Sequence, residues 1–262
     1  MDGLIDSVKI YNYARTPAQI AWDYNKGAPV AHYQFDECEG STAYDASGNG
    51  NNGTITIGAT GTQASAGNCE SGDTADAWNN GASGKWNSSM SFDGVDDYVS
   101  VTDPSDGSLD FGTSDFSIST WIKISEVSGH LIQKYQDNNI NYELYVSSNG
   151  SVNLRTWTAG TLRDYVYSNA SVITQGTWYH VVVVASRGTA TTMYVDGKNV
   201  TSTQGTTTVD LSNSGALNMM WNKLGTDDKT SGQIDDVRIY NYALTAEQVK
   251  NLYNNNSAIR FE

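Results

Sequence analysis

The chain has 262 residues and a formal net charge of −14, with 29 acidic side chains against 15 basic ones. A field of that sign repels nucleic acids and anionic membrane surfaces, so neither is an expected partner. No run of about 18 apolar residues occurs, which argues against membrane insertion. The length suits one large sandwich, and 25 Gly among many Ser, Thr, Asn and Asp suit short strands joined by turns.

The first predicted element is one half of an internal repeat. Residues 3–25 read GLIDSVKIYNYARTPAQIAWDYN and residues 232–254 read GQIDDVRIYNYALTAEQVKNLYN, so 13 of 23 positions are identical at a constant offset of 232 − 3 = 229. We call these segments copy one and copy two. Each begins with the alternation of a half-buried strand, and each then has Thr followed three residues later by Gln, which predicts a capping box and a short helix.

The repeat predicts the domain organisation. We expect residues 1–27 to be the closing strand and helix of a preceding unit, residues 28–255 to be one complete sandwich, and residues 256–262 to be a linker or the start of a next unit. The expected assembly strand of copy one presents an unpaired edge and four apolar or aromatic side chains, Ile5, Val8, Ile10 and Tyr11. Its partner is either the preceding unit of one long polypeptide or a neighbouring molecule in a filament.

Strands follow one another between the two copies. Alternating or continuous apolar patterns predict strands at residues 30–35, 90–101, 116–124, 142–146, 152–158, 178–185 and 191–195, and Asp196 with Gly197 predicts a hairpin turn. The expected fold class is all-β, an antiparallel sandwich or jelly roll. The two cysteines, Cys38 and Cys69, are expected to form a disulfide if the protein is exported, and the alternative is a pair of free buried thiols.

Six motifs occur in the order that a known family uses. They are FDECEGSTAYDASGNGNNGT (35–54), SFDGVDDYVSV (91–101), FSISTWIK (116–123), TWYHVVVV (177–184), MYVDGK (193–198) and GQIDDVRIYNYAL (232–244). Together they resemble the laminin-G-like domain of the concanavalin-A-like jelly-roll superfamily. The resemblance implies two stacked antiparallel sheets with the last strand beside the first, a calcium ion, and roles in glycan binding, adhesion or surface assembly. It also implies an extracellular or cell-surface location, because similar units occur in tandem in very large bacterial surface proteins.

A calcium site is the sharpest prediction about single residues. Asp235 has the parity of the buried residues of its strand, so its carboxylate is expected on the core side, where a cation would compensate its charge. Asp36 ends the strand expected beside it, and the loop from Asp45 to Gly53 supplies amides and carbonyls. The predicted ligands are Asp36, Asp45, Asn52 and Asp235; in the alternative, Asp45, Ser47 and Asn49 only hydrogen-bond their own turn.

Catalysis is not predicted. Related jelly rolls include glycoside hydrolases with paired carboxylates on one strand, whereas Glu143 has no such partner on its strand. His180 lies in an apolar strand and is expected to be a structural, hydrogen-bonded histidine.

Two binding functions remain. The first is surface assembly or adhesion through copy one. The second is glycan binding, since Val152 and Leu154 point inward and therefore turn their neighbours outward. The candidate glycan-binding residues are Arg155, Trp157, Tyr165 and Tyr167, and the alternative is that these rings pack locally or cover loops.

Overall fold

We analysed a computed structural model, which describes residues 4–5, 8–15, 20, 23, 27–136, 139–158, 160–203, 205, 209–223 and 228–254. Two antiparallel sheets form a sandwich, as the strand pattern predicts. In the described ranges, no helix is long and apolar enough to cross a membrane.

The first sheet has seven strands. They are β1 (Ala31–Tyr33), β4 (Met90–Asp93), β6 (Phe116–Ile124), β11 (Tyr179–Ser186), β12 (Ala190–Val195), β13 (Lys198–Asn199) and β17 (Ser231–Tyr240). Their order is β1-β17-β6-β11-β12-β13, with β4 also paired to β17. The last strand therefore returns beside the first, as the family resemblance implies, and β11 lies inside the sheet as its continuous apolar sequence predicts.

The second sheet has eight strands. They are β2 (Thr42–Ala43), β3 (Gly53–Thr56), β5 (Tyr98–Val101), β7 (Gly129–Gln136), β8 (Asn139–Val146), β9 (Val152–Thr158), β10 (Thr161–Tyr167) and β14 (Ala216–Met219). Their order is β10-β9-β8-β7-β14-β5-β3-β2. A two-stranded hairpin, β15 (Trp221–Asn222) and β16 (Asp228–Lys229), follows β14. The described part of the chain after residue 27 also contains the helices α1 (Ala77–Asn80) and α2 (Ala246–Tyr253).

The core lies between the two sheets. Alternate residues of β6, such as Phe116 and Ile118, face alternate residues of the opposite sheet, such as Leu144 and Leu154, and all four are buried. Burying such side chains stabilises the fold by roughly 1.5–3 kcal/mol each before ordering costs. The alternation that predicts these strands is therefore the same alternation that builds the core.

Copy two closes the sandwich. Its strand β17 pairs with β6 on one edge and with β1 and β4 on the other. Its helix α2 begins with the predicted capping box between Thr245 and Gln248, and packs on the outer face of the seven-stranded sheet through Val249 and Leu252. Copy two thus contributes to both faces of this sheet.

Two strand predictions need correction. The sequence from Met90 to Val101 is not one strand: β4 and β5 belong to different sheets, because Gly94 adopts a positive φ of 83° and the chain turns there. In β17 the pairing with β6 shifts register between Asp235 and Arg238, and Asp236 has a φ of 48°. This β-bulge reverses the parity of the preceding residues, so Asp235 lies opposite Trp121 on the outer face and not on the core side as predicted.

The predicted disulfide is present. Cys38 and Cys69 are bonded across a sequence separation of 31 residues. The bond ties the segment after β1 to the loop before α1, so the free-thiol alternative is wrong.

Candidate functional site

A row of polar side chains crosses the outer face of the eight-stranded sheet. In register from β7 to β10, Gln133 is paired with Glu143, Glu143 with Arg155, and Arg155 with Tyr165. The intervening residues of these strands point into the core, so the row lies on the face away from it.

Glu143 is the centre of that row. It is fully buried and accepts hydrogen bonds from Gln133 Nε2 (3.1 Å) and Arg155 Nε (2.8 Å), and its Oε1 lies 2.6 Å from His130 Nδ1. Burial by itself would raise the pKa of Glu143, but the hydrogen bond from His130 and the charges of His130 and Arg155 hold it below its ordinary value. The carboxylate therefore stays ionised and fixes the three side chains around it.

Aromatic rings cover this network. The Arg155 guanidinium lies 4.3 Å from the ring centre of Tyr145, and His130 stacks on the same ring at 5.5 Å. The Tyr145 hydroxyl lies 3.3 Å from that of Tyr165, whose ring is 5.4 Å from Tyr167. We call these five residues the aromatic surface. Tyr165 and Tyr167 are 45% and 36% exposed, which leaves their faces open to a ligand.

Sequence reasoning found part of this surface. Arg155, Tyr165 and Tyr167 are brought together as predicted, whereas Trp157 is half-buried opposite Leu162 and joins none of the ring contacts between described residues. Sequence reasoning missed His130 and Tyr145, and it judged Glu143 only as a catalytic acid. The available signal was parity, because Glu143 and Tyr145 alternate with the core residues of β8.

The β15–β16 hairpin stands beside the network. Gln133 donates to Asn222 Oδ1 (3.1 Å) and accepts from the Lys223 backbone N–H (3.0 Å), so the hairpin is tied to the same row. His130 also lines a cleft of about 460 Å³, whose other lining residues include Asp228 and Lys229. The aromatic surface therefore continues into a polar cleft with groups of both charge signs.

The predicted calcium ligands form two pairs. Asp235 is fully buried under the loop before β4, where its Oδ2 accepts the N–H of Trp86 (2.8 Å). Its Oδ1 has no hydrogen-bond partner in the part of the chain that the structure describes. Burial raises the pKa of Asp235 to about 8, and the nearby charges of Asp236 and Asp36 act in the same direction. Asp36 accepts hydrogen bonds from Asn87 and Ser88 of the same loop.

The second pair is Asp45 and Asn52. Asp45 accepts hydrogen bonds from His32, Ser47 and Asn51, at 2.8–2.9 Å, and its own N–H donates to Asn52 Oδ1 at 2.9 Å. These bonds match the alternative in which Asp45 and Ser47 stabilise their own turn.

A third acidic cluster lies at the turn between β4 and β5. Asp93, Asp96 and Asp97 each place a carboxylate oxygen within 4.8 Å of the others. Asp97 is fully buried rather than solvent-facing, and burial raises its pKa to about 6. Backbone N–H groups of Gly58 and Asp93 bind its two oxygens, so this cluster fastens the turn.

Copy one presents a different kind of surface. Its side chains at Val8 and Ile10 are 71% and 93% exposed, while their equivalents Val237 and Ile239 are fully buried. Ile5 and Tyr11, the other two residues of the predicted assembly strand, are exposed as well. Its predicted helix is described only at Ile20 and Asp23, which are helical, and the capping residues at positions 16 and 19 lie outside the described residues.

The two antiparallel sheets, the adjacent first and last strands and the external helix define a jelly roll of the concanavalin-A-like class. The chain belongs to the laminin-G-like family described as "Concanavalin A-like lectin/glucanases superfamily", whose model matches residues 93–250. No curated protein sequence matches the chain.

Solved structures share this fold. The binding domain of Paraclostridial Mosquitocidal Protein 1 superposes with a TM-score of 0.64 at 17% identity, over 88% of this chain and 53% of that one. The binding domain of botulinum neurotoxin DC, in complex with rat synaptotagmin II, gives 0.62 at 15%, over 89% and 52%. Domain 4 of AbnA, an extracellular arabinanase from Geobacillus stearothermophilus in complex with arabinotriose, gives 0.57 at 21%, over 86% and 98%. This chain thus spans about half of each toxin domain, and the likeness establishes the fold.

Proposed function

We propose that this protein is a non-catalytic extracellular module for surface assembly or adhesion, in which copy one closes the sandwich of a neighbouring unit of the same type. The single observation that carries the proposal is the contrast in burial between two copies that share 13 of 23 residues. In copy two, Ile234, Val237 and Ile239 fill the core. Copy one retains the same three residues and exposes them.

The occupied slot describes the expected acceptor. In this sandwich the closing strand lies between β6 on one edge and β1 and β4 on the other, so the acceptor must offer three such strands with their closing position empty. Strand addition then supplies main-chain hydrogen bonds, and the core supplies pockets for alternate side chains. In an identical chain copy two fills this position, so such a chain could accept copy one only after releasing its own closing strand. The contact would then repeat head to tail and give a filament.

A strand chimera tests this function in the full chain. Gln233→Leu, Asp236→Ser and Arg238→Lys convert residues 232–243 into the sequence of copy one. We expect this chimera to keep a cooperative melting transition, because every core-facing residue is retained. Ile239→Asp is the matched control that breaks the strand. A strand chimera that unfolds like this control would contradict the proposal.

A second candidate function is glycan binding at the aromatic surface. The observation that favours it is the buried Glu143, which holds Arg155 and His130 in place against the ring of Tyr145. The exposed rings of Tyr165 and Tyr167 lie beside them. Fixed aromatic faces stack on sugar rings, and neighbouring charged groups set the orientation of hydroxyls. The arabinotriose complex of the similar arabinanase domain is consistent with such a ligand class.

A glycan array tests the second function. We expect Tyr165→Ala to lower the affinity for any bound glycan about tenfold, a loss of about 1.4 kcal/mol. Tyr44→Ala is the matched control, since Tyr44 is an exposed tyrosine outside the aromatic surface. Equal binding by both variants, or no binding by the unmodified chain, would contradict this candidate.

We also propose a calcium ion at Asp235. Its buried, unpartnered Oδ1, seen among the described residues, and the nearby carboxylate of Asp36 fit a hard cation that prefers oxygen ligands. Asp45 and Asn52 are the other proposed ligands, and their hydrogen bonds within the turn would have to rearrange for them to take part.

Calorimetry with calcium and with a chelator tests this site. We expect the melting temperature to be higher in calcium, and Asp235→Asn to remove the difference, while Asp93→Asn retains it. An unchanged melting curve on chelation would rule out a structural ion.

A further inference from the structure

Copies one and two differ in a coordinated way at two positions that are buried in copy two. Copy two has Leu244 after its strand and Leu252 in its helix, whereas the equivalent residues of copy one are Arg15 and Asp23. Two leucines in one copy are thus replaced by opposite charges in the other.

In copy two both leucines belong to one apolar cluster. The cluster lies on the outer face of the seven-stranded sheet. Its other members from copy two are Tyr240, Tyr242 and Val249, and the members that the rest of the sandwich supplies are Val182 and Val184 of β11. In this cluster, outside the main core, the closing segment contacts the rest of the sandwich. It is therefore a place where a sandwich distinguishes one closing segment from another.

In copy one the two charged residues are paired. The Arg15 guanidinium lies 2.7 Å from Asp23 Oδ2, and the Tyr11 hydroxyl donates to the same oxygen at 3.0 Å. Arg15 also lies over the Tyr11 ring, 4.2 Å from its centre. In copy one an ion pair therefore joins the residue after the strand to the helix. At the same two positions copy two has leucines in an apolar cluster.

We infer that the acceptor of copy one is a related but non-identical sandwich unit, with polar side chains where this one has Val182 and Val184. This inference rests on the proposed function of copy one as a closing segment. An ion pair placed in a cluster to which the acceptor contributes two valines would lose hydration and gain no hydrogen-bond partner from those valines. Such burial is unfavourable. A second copy of this chain is thus the wrong acceptor, and the right one is a different unit of the same fold.

A pair chimera of the full chain tests the inference. Leu244→Arg with Leu252→Asp places the ion pair of copy one in this sandwich, and Leu244→Ala with Leu252→Ala removes the apolar contact without adding charge. Val249→Ile is the matched control, because it introduces the copy-one residue at a third buried position of the same helix. We expect the pair chimera to lower the melting temperature by about 10 °C or more and to melt below the alanine pair, and the control to stay within about 2 °C.

A further variant tests whether polar side chains at the positions of Val182 and Val184 accommodate the ion pair. Val182→Thr with Val184→Thr keeps the side-chain shape and adds hydroxyls. We expect these changes to raise the melting temperature of the pair chimera and to lower that of the unmodified chain. Equal changes in the melting temperature of the pair chimera and of the unmodified chain would contradict the inferred polar side chains of the acceptor.

The outcomes separate the inference from the function on which it rests. A pair chimera that melts at or above the alanine pair overturns the inference and leaves the proposed function intact. A strand chimera that unfolds overturns the proposed function whatever the pair chimera does. If the pair chimera fails to fold while the strand chimera folds, the inference is supported.

Discussion

Copies one and two share most of their sequence but not their environment. Ile239 of copy two is buried between strands on both edges, whereas Ile10 of copy one is exposed to solvent. The same alternating strand pattern thus gives a core strand in one place and an unpaired segment in the other. A closing segment is defined by its partners as much as by its own sequence, because a strand obtains its hydrogen bonds and its burial from its neighbours.

The largest difference between the two copies is expected when the equivalent residues Ile239 and Ile10 are each replaced by alanine. We expect Ile239→Ala to destabilise the sandwich by about 2–5 kcal/mol, since it opens a cavity in the core, and Ile10→Ala to change stability by less than about 0.5 kcal/mol. Urea denaturation of both variants measures the two effects. A comparable loss from Ile10→Ala would mean that copy one packs on its own sandwich.

The disulfide gives the next largest effect. We expect replacement of Cys38 and Cys69 by Ser to lower the free energy of unfolding by about 3–4 kcal/mol, since the bond closes a loop of 31 residues in the unfolded chain. We expect the cysteine replacements to cost the same 3–4 kcal/mol in a chain that lacks residues 1–26, because copy one is not part of this core. Denaturant curves of both forms check it, and unequal losses would tie copy one to the disulfide-bonded segment.

The pH dependence of stability tests the burial of the sheet face that the helix of copy two covers. His180 is buried between Ser119 and the ring of Tyr253, and burial lowers its pKa to about 3. As the pH falls below about 6.5, the unfolded chain binds a proton that the folded chain excludes, so this residue makes stability fall with acidification down to about pH 3.

The size of this effect is measurable by difference. Between pH 6 and pH 4.5 we expect the unmodified protein to lose about 2 kcal/mol more than His180→Gln does. Taking the difference cancels the opposite contribution of Asp97, whose raised pKa of about 6 favours the folded state at low pH. Parallel curves for the two proteins would contradict the burial of His180.

The smallest effect is expected from removing copy one altogether. Deletion of residues 1–26 should change the melting temperature by less than about 2 °C, because the described side chains at Ile5, Val8 and Ile10 are exposed. Gly27 is kept because its carbonyl accepts a hydrogen bond from the hydroxyl of the buried Tyr242. Any assembly with neighbouring units should be lost at the same time, which light scattering and electron microscopy can measure. A large fall in melting temperature would show that copy one supports this sandwich.

Much of the fold could be predicted because local pattern and burial coincide. The predicted ranges 116–124 and 152–158 match β6 and β9, and Thr245 with Gln248 forms the predicted capping box. Period-two counting failed at the β17 bulge, where Asp236 adopts a positive φ. The extra residue of the bulge leaves one trace in the sequence, a spacing of three between the core residues Ile234 and Val237. Counting back from Val237 in steps of two ignored that spacing and placed Asp235 on the wrong face.

The candidate sites were less accessible from the sequence. Arg155, Tyr165 and Tyr167 follow from strand parity, but the buried Glu143 that holds Arg155 becomes a partner only through strand pairing. The Arg15–Asp23 pair likewise links a strand exit to a helix eight residues later. Parity identifies a face, whereas tertiary register determines which residues of that face meet.

Hydrogen–deuterium exchange of the full chain tests the central claim most directly, by comparing Val8–Tyr11 with Val237–Tyr240. The account predicts near-complete exchange of the copy-one amides within seconds and strong protection of the copy-two amides in the same sample. Equal protection of the two segments in the isolated chain would contradict it, because copy one would then already have a partner within its own molecule.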